Sequence, residues 1–398
     1  MGRRFSEGTA LLIGRILVGL CSGVSLIITA RYVGSEIFAR FGVIMIFLNI
    51  LMDILDFGSG SMSSRQLASK QITASQFFCR MKVKSLFLFF VITSAIPLFL
   101  VLSISKIEIF FLITYSILWI QVNYIQSYLL VVEKYLYSFL LLLLERCLWL
   151  SVILFAFFQI SKEASFVIPL ILGLLCHVLF GYKILKIPHH SRSELLLVFK
   201  EFYSSRSYAM GSITTDFATF DSNLVVYATN AASGGSYVLG QRFKNQLIMG
   251  YVAFATRIRN SFAMRDRSEL VAVLEKEKHL VYLNTLGILF LLPISFNYAD
   301  NVFGPSYPNI NLILTLIFAN TILSGLTFIL FEILTFAGFV RELASQFLPL
   351  IPLQLIVIFF SASKFGVIGA TFALLITSFS MFLRLVLLAR LSFRNYFD

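Results

Sequence analysis

Charged side chains are scarce in this chain. They make up 13% of its 398 residues, against roughly 25% in soluble domains. The hydrophobic fraction is 58% and the mean hydropathy is +0.88. Apolar runs of about 20 residues, long enough for a helix to cross a bilayer, recur along the chain. The composition therefore excludes a soluble domain. Because the alternating segments of roughly ten residues that mark a barrel are missing, it predicts membrane-spanning helices.

The sequence also lacks the residue patterns of catalytic and metal sites. Cysteine is rare and shows no paired spacing, and the histidines form no ligand cluster. No nucleophile–base pair, P-loop, zinc pattern or dinucleotide fingerprint is present. We therefore predict no disulfide, no metal site and no cofactor, and a protein that is not an enzyme.

Positive charge exceeds negative charge, with a net charge of +12 and 32 lysines and arginines. These residues lie in short segments between apolar runs, a pattern typical of membrane topology rather than of a nucleic-acid surface. We therefore expect no nucleic-acid partner. The apolar runs predict twelve spans, at about 9–30, 37–57, 85–104, 109–131, 138–160, 165–182, 208–229, 236–256, 281–298, 309–335, 343–362 and 366–389.

The distribution of lysine and arginine predicts that both termini are cytoplasmic. In that orientation few basic residues outside the spans face the other side, and these are Arg31, Lys106, Lys162 and Lys364. The long connections, about 58–84, 183–207 and 257–280, are then all cytoplasmic. The outer loops are short, which predicts no catalytic domain outside the membrane.

The twelve spans divide evenly about a basic cytoplasmic segment. We predict an all-α integral membrane protein with about 12 transmembrane helices in two six-helix lobes around a central cavity. The predicted boundaries are 1–184 for the first lobe, 185–206 for the linker and 207–398 for the second lobe. An even number of spans in each half is the arrangement of parallel repeats, as found in rocking transporters.

Polar side chains are concentrated in the seventh and eighth spans. The stretch "GSITTDFATFDSNLVV" carries Asp216 and Asp221, and "GQRFKNQ" carries Arg242, Lys244 and Asn245. A charge at a helix centre costs roughly 2.5–3.5 kcal/mol, so each should face a partner or a wet cavity. Two compatible interpretations stay open. One is a salt bridge between the two helices, and the other is a polar cavity for an anionic or hydroxyl-rich substrate.

Other spans contribute further candidates. Gln121 and Asn123 in the fourth span suit sugar hydroxyls, although amides also hold helices together. Arg15 lies some way inside the first span, where it either snorkels or faces the cavity. Glu145 and Arg146 fit either a pair or snorkelling ends. The run "SGGS" at Ser233–Ser236 predicts a turn.

Three motifs resemble one family. "DFGSGSMSSRQLAS" (Asp56–Ser69), "VFGPSYPNINLILTLI" (Val302–Ile317) and "KFGVIGATFALLIT" (Lys364–Thr377) resemble the segments after the second helix and at the starts of the tenth and twelfth helices in polysaccharide flippases. Their order and spacing cover nearly the whole chain. The sequence is thus similar to the Wzx-type O-antigen flippases of the multidrug/oligosaccharidyl-lipid/polysaccharide exporter superfamily.

The resemblance implies a substrate and a location. The substrate would be an undecaprenyl-pyrophosphate-linked oligosaccharide, moved by alternating access from the cytoplasmic to the periplasmic leaflet of the bacterial inner membrane. Membrane lipids and other membrane proteins of polysaccharide assembly would be its partners. Arg15 and Arg242 would attract the pyrophosphate, and Lys244 and Asn245 would be further substrate-binding residues.

The sequence also suggests a coupling ion. Our hypothesis is that Asp53, Asp216 or Asp221 binds a proton or a sodium ion. Two rival functions stay open. One is a multidrug or organic-cation exporter of the same superfamily. The other is a membrane O-antigen polymerase, against which the short outer loops argue.

Overall fold

A computed structural model describes residues 2–56, 59–94, 106–185, 220–264, 267–347 and 349–397. This part of the chain is built from α-helices joined by short turns. In chain order they are α1 (Gly2–Val33), α2 (Ser35–Asp56), α3 (Ser59–Ala68), α4 (Ala74–Ser94), α5 (Lys106–Val131), α6 (Tyr135–Trp149), α7 (Val152–Phe157), α8 (Lys162–Leu185), α9 (Asp221–Thr229), α10 (Ala231–Leu247), α11 (Met249–Met264), α12 (Arg267–Phe303), α13 (Ile310–Ala337), α14 (Val340–Phe347) and α15 (Leu350–Phe397).

Length and composition mark several helices as membrane spans. Within the described residues, six segments are long and apolar enough to cross a bilayer, and α1 contributes the shorter apolar stretch Leu17–Val33. The six segments are Lys106–Val131, Tyr135–Phe155, Lys162–Leu185, Lys278–Phe303, Ile310–Ala337 and Val340–Ser392. They coincide with the predicted fourth to sixth and ninth to twelfth spans, because the last segment holds two of them.

The predicted eleventh span begins later than expected. Position 343, its predicted start, lies within the separate short helix α14. Gly338, with a φ of 100°, ends α13, and Leu343 and Phe347 of α14 are buried while Arg341 is exposed. The amphipathic pattern of these eight residues gives a short helix with one buried face.

The break between the last two predicted spans falls inside α15. Gly366 has a φ of 65° and a ψ of −160°, so the helical backbone is interrupted there. A φ in this range strains residues that carry a Cβ, and glycine adopts it without that cost.

The segment Ser233–Ser236 is helical, so the predicted turn there is wrong. These residues form the beginning of α10, which Asn230 caps by accepting a hydrogen bond from the Ser233 backbone N–H at 2.7 Å. A Cβ at Gly235 would lie 2.7 Å from the carbonyl oxygen of Ser35 on α2. The glycine therefore serves close helix packing and not chain reversal.

The chain divides into two compact units. The first comprises Met1–Ile46 and Thr214–Asp398, and the second comprises Phe47–Ile213. The predicted lobe boundaries at 184 and 207 stay a prediction, and the predicted linker lies outside the described residues except for its first residue, Leu185.

The core of the first unit forms where α9, α10, α13 and α15 meet. Val225, Tyr237, Ile313, Ile317 and Ile358 are each 0% exposed and pack together. Both α1 and the first part of α2 belong to this unit and pack against its other helices. The Tyr307 hydroxyl, for example, donates to the Ala30 carbonyl at 3.0 Å.

The second unit has a core of aromatic and aliphatic side chains from α4, α5 and α6. Phe77, Phe78 and Met81 of α4 pack against Tyr124 and Ile125 of α5. Polar contacts also join its helices. The guanidinium of the buried Arg80 donates to the hydroxyl of Ser63 and to the side-chain oxygen of Gln66, each at 2.8 Å. These bonds attach α3, the helix of the first flippase-like motif, to α4.

Candidate functional site

A buried carboxylate stands at the start of α9. Asp221 is the first residue of this helix, and its side chain is 2% exposed. Its Oδ1 accepts from the Ser222 backbone N–H at 2.6 Å and from the Ser222 hydroxyl at 3.3 Å. Backbone N–H groups in the first turn of a helix lack partners within the helix, and the helix dipole there favours negative charge. The fold thus gives this acidic group a position suited to its charge.

One face of α10 supplies the other partners of Asp221. The Tyr237 hydroxyl donates to Oδ2 at 2.5 Å, and the Gln241 side-chain amide donates to the same oxygen at 3.3 Å. Lys244, one turn further along, interacts electrostatically with the carboxylate. These three residues are spaced i, i+4 and i+7, so they share one face of the helix.

An amide oxygen without a partner lies along the neighbouring helix. A Cβ at Gly240 would be 2.3 Å from Cδ1 of Ile317, so α10 and α13 approach closely there. Asn320, three residues after Ile317 on α13, is 0% exposed. Within the described part of the chain its Oδ1 has no hydrogen-bond partner. Buried acceptors of this kind are normally satisfied by protein groups or by ordered water.

Arg242 donates to α2, whereas the described hydrogen-bond partners of Asp221 lie on α9 and α10. Its Nη2 donates to the Gly42 carbonyl of α2 at 3.2 Å. A Cβ at Gly42 would lie 2.4 Å from Val238, so α2 and α10 are in close contact at this point. Asn245 is exposed. The described hydrogen-bond donors to the Asp221 carboxylate are Ser222, Tyr237 and Gln241. Lys244 interacts with it electrostatically, and Arg242 donates to the backbone of α2.

The remaining candidates are distributed over the chain. Gln121 and Asn123 lie on α5 in the second unit, where Gln121 is half-buried and Asn123 exposed. Arg15 and Asp53 belong to α1 and α2, and their side chains are outside the described part of the structure. Asp216 lies outside the described residues. The structure therefore brings together Asp221 and Lys244, and the roles predicted for the other residues stay predictions.

Sequence reasoning missed Tyr237 as a member of the site, and it noted Gln241 only as part of the polar stretch "GQRFKNQ". Their spacing from Lys244 could have indicated them, because both lie on the same helical face as Lys244. Of the residues predicted from this stretch, Lys244 lies on that face, and Arg242 and Asn245 lie on the adjoining one. In an apolar span a tyrosine is normally interpreted as a core residue. Only the contact of Tyr237 with Asp221 reveals the role of its hydroxyl.

Comparisons with known proteins identify the fold. No family model and no curated protein match the chain. Among solved structures, a MATE in complex with MaL6 superposes with a TM-score of 0.68 at 12% identity, over 98% of this chain and 96% of that one. An outward-facing multidrug resistance MATE family transporter of the MOP superfamily gives a TM-score of 0.66 at 14% identity, over 98% and 96%. A variant of the MATE transporter VcmN from Vibrio cholerae gives 0.66 at 13% identity, over 99% and 98%.

The chain therefore has the fold of the MATE transporters of the MOP superfamily. The predicted fold class, an all-α integral membrane protein with about 12 transmembrane helices in two lobes, is confirmed. At these identities the likeness concerns the fold alone. The predicted function is therefore argued from the site.

Proposed function

We propose that the protein is a membrane transporter of the MOP superfamily, not an enzyme, and that Asp221 binds its coupling cation, a proton or Na⁺. The single observation that carries the proposal is the carboxylate itself. Asp221 is 2% exposed, and its described partners are a phenol, an amide and a serine. Ionisable groups within membrane-spanning segments are costly and mark ion pathways.

The surroundings of Asp221 suit reversible binding. Hydrogen bonds from Tyr237 and Gln241 hold the carboxylate, and among the described residues no salt bridge compensates its negative charge. Lys244 supplies a positive charge that interacts electrostatically with Asp221. An entering cation would compete with that ammonium, and its release would restore the interaction with Lys244. Such an exchange couples cation occupancy to the packing of α9 against α10.

The comparisons support the export of drugs or organic cations better than they support the flippase function. One of the matching structures is described as a multidrug resistance transporter. For this chain we propose the same substrate class.

The lipid-linked oligosaccharide is a second candidate substrate, and the three flippase-like motifs favour it. In this case Arg15 and Arg242 would attract the pyrophosphate, Gln121 and Asn123 would contact sugars, and other polysaccharide-assembly proteins would be partners. The first motif forms α3, which Arg80 holds against α4. That contact gives the motif a structural role in either kind of transporter.

The membrane orientation is part of the proposal. We propose that both termini face the cytoplasm and that the protein resides in the bacterial inner membrane. The scarcity of lysine and arginine in the predicted outer loops supports this orientation. To test it, Glu342 and Asp300 would each be replaced by cysteine in a cysteine-free background, and labelling of the new cysteine would be measured. We expect labelling from outside at position 300 and not at position 342.

Two complementation assays separate the substrates. In the first, the chain is expressed in bacteria lacking their own drug exporters, and resistance to lipophilic cations is measured. In the second, it is expressed in bacteria lacking their O-antigen flippase, and surface glycan is measured. We expect resistance in the first assay and no glycan in the second. Glycan without resistance would overturn the drug substrate and support the flippase function, with Arg242→Ala expected to reduce glycan at normal protein levels.

A further inference from the structure

A second buried polar cluster lies in the unit formed by Phe47–Ile213. Glu145 of α6 and His177 of α8 are 2% and 0% exposed. Nδ1 of the imidazole lies 2.8 Å from Oε2 of the carboxylate. On the other side of the ring, Nε2 lies 2.9 Å from the amide nitrogen of Gln126 on α5. The imidazole is therefore held between three helices with both ring nitrogens in contact.

The direction of each hydrogen bond follows from the chemistry of the groups. An amide nitrogen can only donate, so Nε2 of His177 accepts from Gln126 and carries no proton. Nδ1 therefore carries the proton and donates it to Glu145. The second hydrogen of the Gln126 amide goes to the Ser138 carbonyl at 3.2 Å, and the amide oxygen accepts from the Ser138 hydroxyl at 2.5 Å.

The charges that act on this cluster come from two helices. Nη2 of Arg146, on the same helix as Glu145, lies 3.2 Å from Oε1 of the carboxylate. His177 faces Glu145 from α8, and α5 contributes the neutral amide of Gln126. In the described part of the chain, Arg146 and His177 are the charged or titratable groups that act on Glu145. With Arg146 balancing Glu145, the cluster is neutral while the imidazole is neutral.

We propose that Nε2 of His177 is a proton-binding site, with Glu145 as its counter-charge and Gln126 as the group that responds. A proton taken up from water converts Nε2 from an acceptor into a donor. The Gln126 amide must then turn by half a rotation to offer its oxygen to the ring. Its nitrogen thereby faces Ser138, so the hydroxyl of Ser138 becomes an acceptor and the bond to the Ser138 carbonyl is given up.

Proton binding at this site would change contacts between helices. Gln126 belongs to α5 and Ser138 to α6, so the turn of one amide replaces hydrogen bonds across the contact between these two helices. Close packing leaves little room for gradual adjustment. A Cβ at Gly173 of α8 would lie only 2.7 Å from the Glu145 carbonyl. The cluster therefore has two discrete hydrogen-bonded states, one for each protonation state of the imidazole. This inference concerns a different unit from Asp221 and does not rest on the proposed function.

The test is the protonation state of His177 in the full chain. The protein is labelled with ¹⁵N-histidine, placed in lipid nanodiscs and followed by solid-state NMR from pH 9 to pH 5. Each resonance is assigned by replacing one histidine at a time with glutamine. The exposed His279 serves as the internal control. We expect the Nδ1–H tautomer of His177 at high pH and the doubly protonated ring at low pH.

A variant tests the role of the counter-charge. Glu145→Gln removes the negative charge 2.8 Å from Nδ1. We expect the ratio of doubly to singly protonated His177 at pH 6 to fall by about tenfold, with His279 unchanged, because a nearby carboxylate favours the charged ring. The proposal is overturned if His177 keeps one proton throughout the titration, if its neutral form carries the proton on Nε2, or if Glu145→Gln leaves the ratio unchanged. Should this variant not fold, the wild-type titration alone decides.

Discussion

Two buried carboxylates, one in each unit, are held in opposite ways. Asp221 accepts hydrogen bonds from Tyr237 and Gln241. Glu145 instead pairs directly with two groups that carry or can carry positive charge, Arg146 at 3.2 Å and His177 at 2.8 Å.

The two carboxylates differ in how far neighbouring groups already compensate their negative charge. The charge of Glu145 is compensated within its own cluster, so adding a cation there would require displacing a bound group. Hydrogen bonds to Asp221 leave more of its charge available, which is why we assign the coupling cation to Asp221. At Glu145 the group that gains a proton is the neighbouring imidazole. Mutations that affect the two clusters differently test this contrast.

The largest effect is expected from Asp221→Asn. The amide keeps the size of the side chain but removes the negative charge. Losing a buried charge interaction of about 3 kcal/mol lowers a coupled process by roughly 100-fold. We expect export by the variant to fall by about that factor at normal protein levels. The control is Glu342→Gln, an exposed acid on α14, which should export like the wild type. Normal export by Asp221→Asn would contradict the assignment.

Glu145→Gln should act on stability. The change leaves Arg146 and His177 without their acidic partner, and breaking a buried pair costs about 3 kcal/mol. We expect a lower Tm of the purified protein in detergent and a smaller loss of export than with Asp221→Asn. The exposed Glu133→Gln serves as the matched control and should leave Tm unchanged. If Glu145→Gln instead abolished export without any change in Tm, the contrast between the clusters would be wrong.

Tyr237→Phe removes the hydroxyl that donates to Asp221 and that also hydrogen-bonds the Gln241 side chain. A hydrogen bond to a charged group contributes about 1.5 kcal/mol, so export should fall roughly tenfold. Tyr227→Phe is the control, since Tyr227 lies on α9 and is 84% exposed. Drug-resistance measurements on both variants would check the prediction, and equal resistance would show that the phenol is only packing.

Ser138→Ala should have the smallest effect. It removes the hydroxyl that donates to Gln126 but leaves His177, Glu145 and Arg146 in place. We expect a loss of about 1 kcal/mol in the free energy of unfolding and normal export. Ser345→Ala, at an exposed position, controls for the loss of a hydroxyl. A loss as large as that of Glu145→Gln would mean that the amide network, and not the ion pair, dominates the stability of this cluster.

Much of the fold follows from the sequence because long apolar segments have few structures available in a bilayer. Within the described residues, predicted spans such as the tenth coincide with one long helix, here α13. Sequence alone did not show that 340–347 form a separate short helix or that Ser233–Ser236 are helical. Gly338 ends α13 before the short helix, and the Asn230 cap together with the close approach of Gly235 to α2 favours helix over turn at Ser233–Ser236.

The site was predictable in part. A polar seventh and eighth span indicated Asp221 and Lys244, since charges in apolar segments are conspicuous. Tyr237 and His177 were not found, because each needs a partner far away in the sequence to show its role. Of the two interpretations of Glu145 and Arg146, a pair or snorkelling ends, the 3.2 Å contact agrees with the pair, and neither included the imidazole on α8.

Gradient-driven flux is the most direct test of the cation-binding role of Asp221. Wild-type protein and Asp221→Asn would be reconstituted side by side in liposomes, with a fluorescent organic cation as substrate and an imposed pH or Na⁺ gradient. We predict that one of the two gradients accelerates wild-type flux and that neither gradient changes the slow flux of the variant. Wild-type acceleration that persists in Asp221→Asn would contradict the account.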